Sequence, residues 1–212
     1  MPCTLVIDTA TAACSVALFD GERLVARVHE EVGRGHAERL VPMIATLPGG
    51  GRAAHILVDI GPGSFTGIRV GIAAARGLAL GWGATVSGYG ALALVAAAAL
   101  ADRGELRSLA VVAEGGHGEV FVQGFVAPFA PVDTPRSLTP QQALDALDGR
   151  AAVGSGLRRL AALDAAVPVI DALPDASRAM LLPAAERMLA PVPFYGRAPD
   201  AKLPAATAGR AA

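Results

Sequence analysis

The stretch Gly61–Leu78 reads GPGSFTGIRVGIAAARGL and joins a predicted strand to a predicted helix. The strand is the apolar run HILVDI at His55–Ile60, whose pattern is typical of a strand buried on both faces. The helix is expected to begin near Phe65, because Ser64 or Thr66 can cap its first turn. A buried strand that leads through a glycine-rich turn into a helix indicates an α/β architecture.

The glycines of this turn do not match a known nucleotide motif. The stretch lacks the Lys-Ser/Thr ending of a P-loop. Gly61, Gly63 and Gly67 have the spacing G-x-G-x-x-x-G, which departs from the dinucleotide fingerprint. No acidic residue follows about twenty positions later, where that fingerprint needs one. The turn therefore predicts neither kind of nucleotide site.

Small residues form a stripe along the predicted helix. Gly67, Gly71 and Ala75 recur every four residues and share one side, which lets another backbone come close. Arg69 and Arg76 are seven positions apart and share another side. Two interpretations stay open. Either the stripe with its arginines is a surface for a partner helix, or the stripe packs inside its own lobe and the arginines are solvated.

Upstream of this stretch, the sequence predicts a three-stranded antiparallel meander followed by a helix. The dipeptide Asp20–Gly21 is a hairpin signal between the second and third strands. The first loop is expected at Asp8–Ala12. The predicted strands are Thr4–Ile7, Cys14–Phe19 and Leu24–His29, and the predicted helix is His36–Leu47.

Downstream, the pattern of strands followed by helices is repeated after Asp102–Gly104. This repetition predicts two related α/β lobes: residues 1–102, a smaller lobe at 103–190, and a partly disordered tail at 191–212 that is rich in Pro, Ala and Gly. The strands predicted after the glycine-rich helix are Thr85–Val86, Leu109–Ala113, Glu119–Phe125, Ala151–Val153 and Val167–Ile170. The helices predicted there are Ala91–Leu100, Thr139–Leu147, Leu157–Leu163 and Leu181–Leu189.

Composition limits the classes of function. The net charge of -1 gives no basic excess for nucleic acid, so a protein of this charge that acts on RNA is expected to hold it together with partners. Two cysteines, Cys3 and Cys14, fit a reducing cytosol, and MPCTLVID lacks the features of a signal peptide. The uncharged run Gly77–Ala101 is long enough to cross a bilayer, but its five glycines argue against a single helix. A cytoplasmic protein without a membrane segment is predicted.

Three motifs together resemble the TsaB (YeaZ) family: IDTATAACSVAL at Ile7–Leu18, HAERLVPMI at His36–Ile44 and GPGSFTGIRVGIAAARGLA at Gly61–Ala79. The resemblance implies the actin-like, Hsp70-like fold with two related lobes (ASKHA, ribonuclease H-like). It also implies a role in making N6-threonylcarbamoyladenosine on tRNA, as a non-catalytic partner of the catalytic subunit TsaD and beside the ATPase TsaE. Contact with tRNA would occur only through that complex. Family members can also form homodimers in isolation.

The resemblance implies that the partner binds the two helices of the first lobe, near His36–Leu47 and Phe65–Leu80. The predicted interface residues are His36, Leu40, Met43, Gly67, Arg69, Gly71, Ala75 and Arg76. The catalytic relative carries two histidines four positions apart on a helix, whereas Leu40 and Val32 stand four positions from His36. No metal site and no catalytic residue are therefore predicted.

The resemblance also places Asp8, Thr9 and Thr11 in the loop that approaches the phosphates of a nucleotide in actin-like ATPases. One interpretation is a vestigial nucleotide site, with ATP or ADP bound within the complex. The other is that Asp8 bonds nearby amides and shapes the turn. Asp59 is expected to fix the glycine-rich turn. The alternative function is a small actin-like ATP-binding enzyme, a hydrolase or a kinase.

Overall fold

The structure is a computed structural model that describes residues 3–167 and 169–196. Its first sheet contains Cys3–Asp8 (β1), Ala13–Asp20 (β2), Arg23–Glu31 (β3), His55–Asp59 (β4) and Thr85–Tyr89 (β5). Its second sheet contains Ser108–Glu114 (β6), Val120–Val126 (β7), Ala130–Pro131 (β8), Arg136–Leu138 (β9), Ala151–Val153 (β10) and Val169–Ile170 (β11). The α-helices are His36–Thr46 (α1), Phe65–Trp82 (α2), Ala91–Asp102 (α3), Pro140–Leu147 (α4) and Leu157–Ala161 (α5).

The two sheets have the same topology. The first has the order β3-β2-β1-β4-β5, with β1, β2 and β3 antiparallel and with β4 and β5 parallel to β1. The second has the order β8-β7-β6-β10-β11, with the same succession of antiparallel and parallel pairs and with β9 also paired to β7. This repetition confirms the prediction of two related lobes of the actin-like, ribonuclease H-like fold.

The first lobe is built by its hairpins and by one long crossover helix. All of β2 is buried except its last residue, whereas β3 alternates between exposed and half-buried positions, as expected at a sheet edge. Helix α2 begins where predicted, with the Ser64 hydroxyl accepting from the Gly67 amide at 3.2 Å. It ends at Gly83, whose φ of 69° is left-handed and favours glycine. The helix therefore continues two residues beyond the predicted Leu80.

Helix α3 joins the lobes through a shared core. Eight of the twelve residues of α3 are buried, and seven of these belong to one core cluster with side chains of both sheets. Phe19 and Tyr89 of the first sheet and Phe121 and Phe125 of the second belong to this one cluster. A second cluster lies between the first sheet, α1 and α2. The uncharged run around α3 is thus explained by burial between the lobes, and it is divided among α2, β5 and α3 as predicted.

The C-terminal part returns to the first lobe. The predicted helix Leu181–Leu189 is wrong: two short 3-10 turns, Ala176–Leu181 and Ala184–Arg187, stand there instead. Pro183 separates them, since proline has no amide hydrogen to continue a helix. Gly88 and Leu189 then exchange two backbone hydrogen bonds, of 2.7 and 3.1 Å.

This return bears on the predicted division into domains. Residues 175–196 include contacts to the first sheet and to α2, although the prediction placed all of them in the second lobe or in the tail. The division at residue 102 stays a prediction. The rest of the predicted tail, residues 197–212, lies outside the described residues. Within the described part of the chain, no helix has the length and apolar character needed to cross a membrane.

Candidate functional site

The predicted interface residues on α1 point inward. His36 is buried, and its Nε2 lies 2.9 Å from the Thr11 carbonyl oxygen and 3.2 Å from that of Ala13, so Nε2 carries hydrogen and donates. Leu40 and Met43 belong to the core between α1 and the first sheet. These three side chains position the β1–β2 loop and α1, and they cannot touch a partner in this conformation.

The glycine stripe on α2 also points inward, which corrects its predicted role. A Cβ atom at Gly67 would clash with the Thr9 carbonyl oxygen, and one at Gly71 would clash with the Thr9 hydroxyl. Ala75 is fully buried. The Thr9 hydroxyl donates to the Gly67 carbonyl oxygen at 2.8 Å. The backbone that comes close to the stripe is therefore the β1–β2 loop of the same lobe.

Arg69 and Arg76 are exposed, and both contact the C-terminal segment, residues 188–196. The Arg69 Nε donates to the Tyr195 hydroxyl at 2.8 Å, and its guanidinium lies 3.7 Å from the centroid of the Phe65 ring. The Arg76 guanidinium donates to the Pro191 carbonyl oxygen at 2.8 Å. The two arginines therefore hold the C-terminal segment along one side of α2.

The exposed side of α2 also carries four uncharged residues, next to these arginines. Ala73, Gly77, Leu80 and Gly81 are exposed there, and no atom lies within 4 Å of a Cβ added at either glycine. Leu80 is 88% exposed. Helix α1 packs beside α2 and adds an exposed patch of its own. We define the outer face as these four residues of α2 together with Val41, Pro42 and Ala45 of α1, all exposed.

The predicted nucleotide residues lie at an enclosed junction. Asp8 is fully buried, and its Oδ2 accepts from the Tyr89 hydroxyl at 2.7 Å. Thr9 is 1% exposed because α2 covers it. The Thr11 hydroxyl accepts from the Ala13 amide at 3.2 Å and shapes the turn into β2. Of the two interpretations, the observed contacts are those of a turn held by its own hydrogen bonds.

Asp59 fixes the glycine-rich turn in the way the sequence suggested. Its Oδ1 accepts from the Gly61 amide at 2.7 Å. Burial, and then the nearby charge of Asp8, raise the pKa of Asp59 well above its usual range. Burial also raises the pKa of Asp8 to about 6 and the pKa of Tyr89 well above its usual range. A buried acidic pair with one aromatic hydroxyl therefore lies where three parallel strands end.

The cleft between the lobes is closed at this point. A cavity of ≈ 10 Å³ lies between Thr11, helix α3 and the second sheet, and Val95, Val111 and Ser155 are among its walls. A volume of that size has room for about one water molecule. A nucleotide has no room there in this conformation. Among residues 3–167 and 169–196, no group of three or more His, Cys, Asp or Glu side chains could hold a metal ion.

Similar proteins were found among curated sequences and solved structures. The Escherichia coli tRNA threonylcarbamoyladenosine biosynthesis protein TsaB is 40% identical over 124 residues, which are 55% of this chain and 52% of that protein. The Haemophilus influenzae protein of the same name is 43% identical over 83 residues, or 36% and 34% of the two chains. The matched part thus spans about half the length of the first relative and about one third of the second. The structure of YeaZ from Pseudomonas aeruginosa has a TM-score of 0.76 at 26% identity, covering 92% of this chain and all of that one.

A family model described as TsaD: tRNA N6-adenosine threonylcarbamoyltransferase matches residues 28–148, more than half of the chain. The chain belongs to this family and is a TsaB (YeaZ) member of it. The resemblance seen in the sequence motifs is therefore confirmed. The matched range includes both helices of the outer face.

Sequence reasoning missed two tyrosines of this TsaB-family chain. Tyr89 lies in GYG, beyond the end of the predicted strand Thr85–Val86, and Tyr195 lies in the predicted tail, residues 191–212. A signal for the first did exist. Asp8, Asp59 and Tyr89 are each the last residue of a parallel strand, and the ends of neighbouring parallel strands meet at one edge of a sheet. No comparable pattern marks Tyr195, because its contact with Arg69 joins residues 126 positions apart.

Proposed function

We propose that this chain is a non-catalytic subunit in the synthesis of N6-threonylcarbamoyladenosine on tRNA, and that it binds and activates the catalytic subunit TsaD through the outer face. The names of the curated relatives and the description of the family model support the pathway. The observation that carries the partner role is the outer face itself.

The outer face has the character of a docking surface. Leu80 and Val41 are 88% and 54% exposed, and leaving large apolar side chains in water on one surface is unfavourable. Gly77 and Gly81 have open space above them, so a partner helix could approach the backbone of α2 closely. The four α2 residues and the three α1 residues carry no charge that would have to be desolvated on binding.

The site chemistry favours an accessory role over catalysis. Asp8 and Thr9 are enclosed, and the cavity at the cleft is about the size of one water molecule. The net charge of -1 provides little attraction for tRNA, so the tRNA would be held mainly by the rest of the complex. The proposed complex includes the ATPase TsaE, and its proposed location is the cytoplasm. In isolation, two copies could pair through the same outer face.

The proposal is tested by mixing the purified chain with TsaD of the same cell in size-exclusion chromatography with light scattering. A complex of the summed mass is expected, and the modification activity of TsaD should rise with the concentration of this chain. Separate elution of the two proteins at micromolar concentrations, with no rise in activity, would contradict the proposal.

The alternative function, a small ATP-binding enzyme, predicts something different for the isolated chain. It requires binding of ATP with magnesium that is lost in Asp8→Ala. Because Asp8 is fully buried, we expect no heat of binding in calorimetry, either in the unmodified chain or in that variant. Saturable binding that depends on Asp8 would favour the enzyme instead.

A further inference from the structure

Two buried carboxyl groups meet at the ends of neighbouring strands. Asp8 ends β1 and Asp59 ends β4, and these strands pair in parallel with Ile7 beside Val58. Both aspartates have no exposed surface. Their side chains lie within hydrogen-bond reach of each other. Two ionised carboxylates at such a place would repel each other with little water to screen them.

The hydrogen bonds leave one oxygen of each carboxyl group without a donor. The Tyr89 hydroxyl donates to Asp8 Oδ2, and the Gly61 amide donates to Asp59 Oδ1. In the part of the chain that the structure describes, Asp8 Oδ1 and Asp59 Oδ2 have no hydrogen-bond partner of good geometry, although the Ala10 amide lies near both carboxyl groups. A buried oxygen left in this state is costly, so each orphaned atom requires an explanation.

We propose that, at neutral pH, Asp59 is protonated on Oδ2 and donates this proton to Asp8 Oδ1. One proton then satisfies both orphaned oxygens. Asp8 remains the anion of the pair and accepts from Tyr89 and Asp59, while Asp59 stays neutral and still accepts from Gly61. The pair carries one negative charge instead of two. This proposal is independent of the proposed function.

The groups that face the pair agree with this assignment. Burial raises the pKa of both carboxyl groups, to about 6 for Asp8; the charge of Asp8 raises the pKa of Asp59 further, whereas the hydrogen bond from Tyr89 lowers that of Asp8, so Asp8 is the member of the pair that ionises first. Tyr89 donates to Asp8 from β5, and the charge of Asp175 in the C-terminal part raises the pKa of Asp8. Burial, and then the charge of Asp8, raise the pKa of the Cys14 thiol on β2 to about 11, so this thiol stays neutral.

The shared proton would hold two loops together. Asp8 leads directly into the β1–β2 loop, which contacts α2 through Thr9, and Asp59 holds the turn that begins α2. When the proton is lost at higher pH, two anions face each other at the base of both loops. We therefore expect the contact between the β1–β2 loop and the start of α2 to loosen as the pH rises.

A direct test is carbon-13 NMR of the side-chain carboxyl groups in the unmodified full chain, with labelled aspartate. Two carboxyl carbons should show no inflection below pH 5, with one macroscopic step near pH 6 and another at higher pH. They are identified by the loss of one signal in Asp8→Asn and of the other in Asp59→Asn. Two ordinary titrations near pH 4 would overturn the proposal.

A second test uses the pH dependence of unfolding. Aspartate in the unfolded chain has a pKa near 3.9 and is ionised from about pH 5 upward. The folded chain therefore binds more protons than the unfolded chain above that pH. The unfolding equilibrium constant should therefore rise with pH, up to about tenfold per pH unit for each extra proton. Burial lowers the pKa of His55, which gives the opposite slope near its own pKa, so the comparison is made between variants.

The deciding variant is Asp59→Asn. Its amide can donate to Asp8 Oδ1 and its carbonyl can accept from Gly61, but it does not titrate. Above pH 6 this variant should lose the rise in the unfolding constant, whereas the control Asp145→Asn, an exposed position on α4, should keep it. An equal slope in all three proteins would overturn the proposal. Should Asp59→Asn fail to fold, the NMR titration of the unmodified chain still decides.

Discussion

At the scale of single residues, the same amino acid has opposite roles in one helix. Gly71 faces inward, where an added methyl group would meet the Thr9 hydroxyl, whereas Gly77 faces outward with no atom within 4 Å. Both belong to stripes of small residues at helical spacing. The inner stripe is Gly67, Gly71 and Ala75, and the outer is Ala73, Gly77 and Gly81. Spacing alone cannot tell which stripe faces the core.

This difference predicts opposite effects of one substitution. Gly71→Ala should destabilise the protein by about 1–3 kcal/mol, because the methyl group has to displace the β1–β2 loop. Gly77→Ala should stabilise it by about 0.5–1 kcal/mol, because alanine loses less backbone entropy in a helix. Urea unfolding of both variants measures the two values, and a stabilised Gly71→Ala would contradict the inward assignment of the stripe.

At the scale of elements, the C-terminal segment completes the first lobe. Its backbone exchanges hydrogen bonds with Gly88, and the Phe194 amide donates to the Ile60 carbonyl oxygen at 2.8 Å. Arg69 and Arg76 of α2 hold the segment through their hydrogen bonds to Tyr195 and Pro191. The arginines that the sequence assigned to a partner thus bind a segment of the same chain.

Removing both arginine side chains should loosen this segment without unfolding the protein. Both arginines are exposed, so their two hydrogen bonds together are expected to contribute about 1.5 kcal/mol, and Arg69→Ala with Arg76→Ala should speed amide exchange of Phe194 and Gly88 by about tenfold. Hydrogen exchange with mass spectrometry or NMR measures this rate. The control is Arg52→Ala, an exposed loop arginine. Unchanged exchange in the double variant would show that the arginines do not hold the segment.

The sequence predicted most elements of the fold because local signals marked them. Asp20–Gly21 marked the β2–β3 hairpin, and Ser64 marked the start of α2. Short strands without such signals, β8 and β9, were missed. The last predicted helix failed because Pro183 and contacts with the first sheet override its apolar spacing. Contacts between distant residues, such as Tyr195 with Arg69, cannot be read from local patterns.

At the scale of the whole molecule, two copies of one topology are joined by the buried helix α3. Its core packing with both sheets, together with the water-sized cavity at the cleft, closes the space between the lobes. The apolar surface left in water on α1 and α2 lies on the outside of the first lobe. This distribution is the reason for proposing that the chain acts by binding TsaD.

The most direct test of this account is the affinity of Leu80→Glu for TsaD of the same cell, measured by calorimetry beside the control Leu163→Glu. Leu163 is also an exposed leucine, at 53%, but it lies in the second lobe. A carboxylate placed in an apolar contact has to be desolvated on binding, which costs about 2 kcal/mol or more, so Leu80→Glu should weaken binding at least about thirtyfold. Leu163→Glu should bind like the unmodified chain. Unchanged affinity of Leu80→Glu would contradict the account.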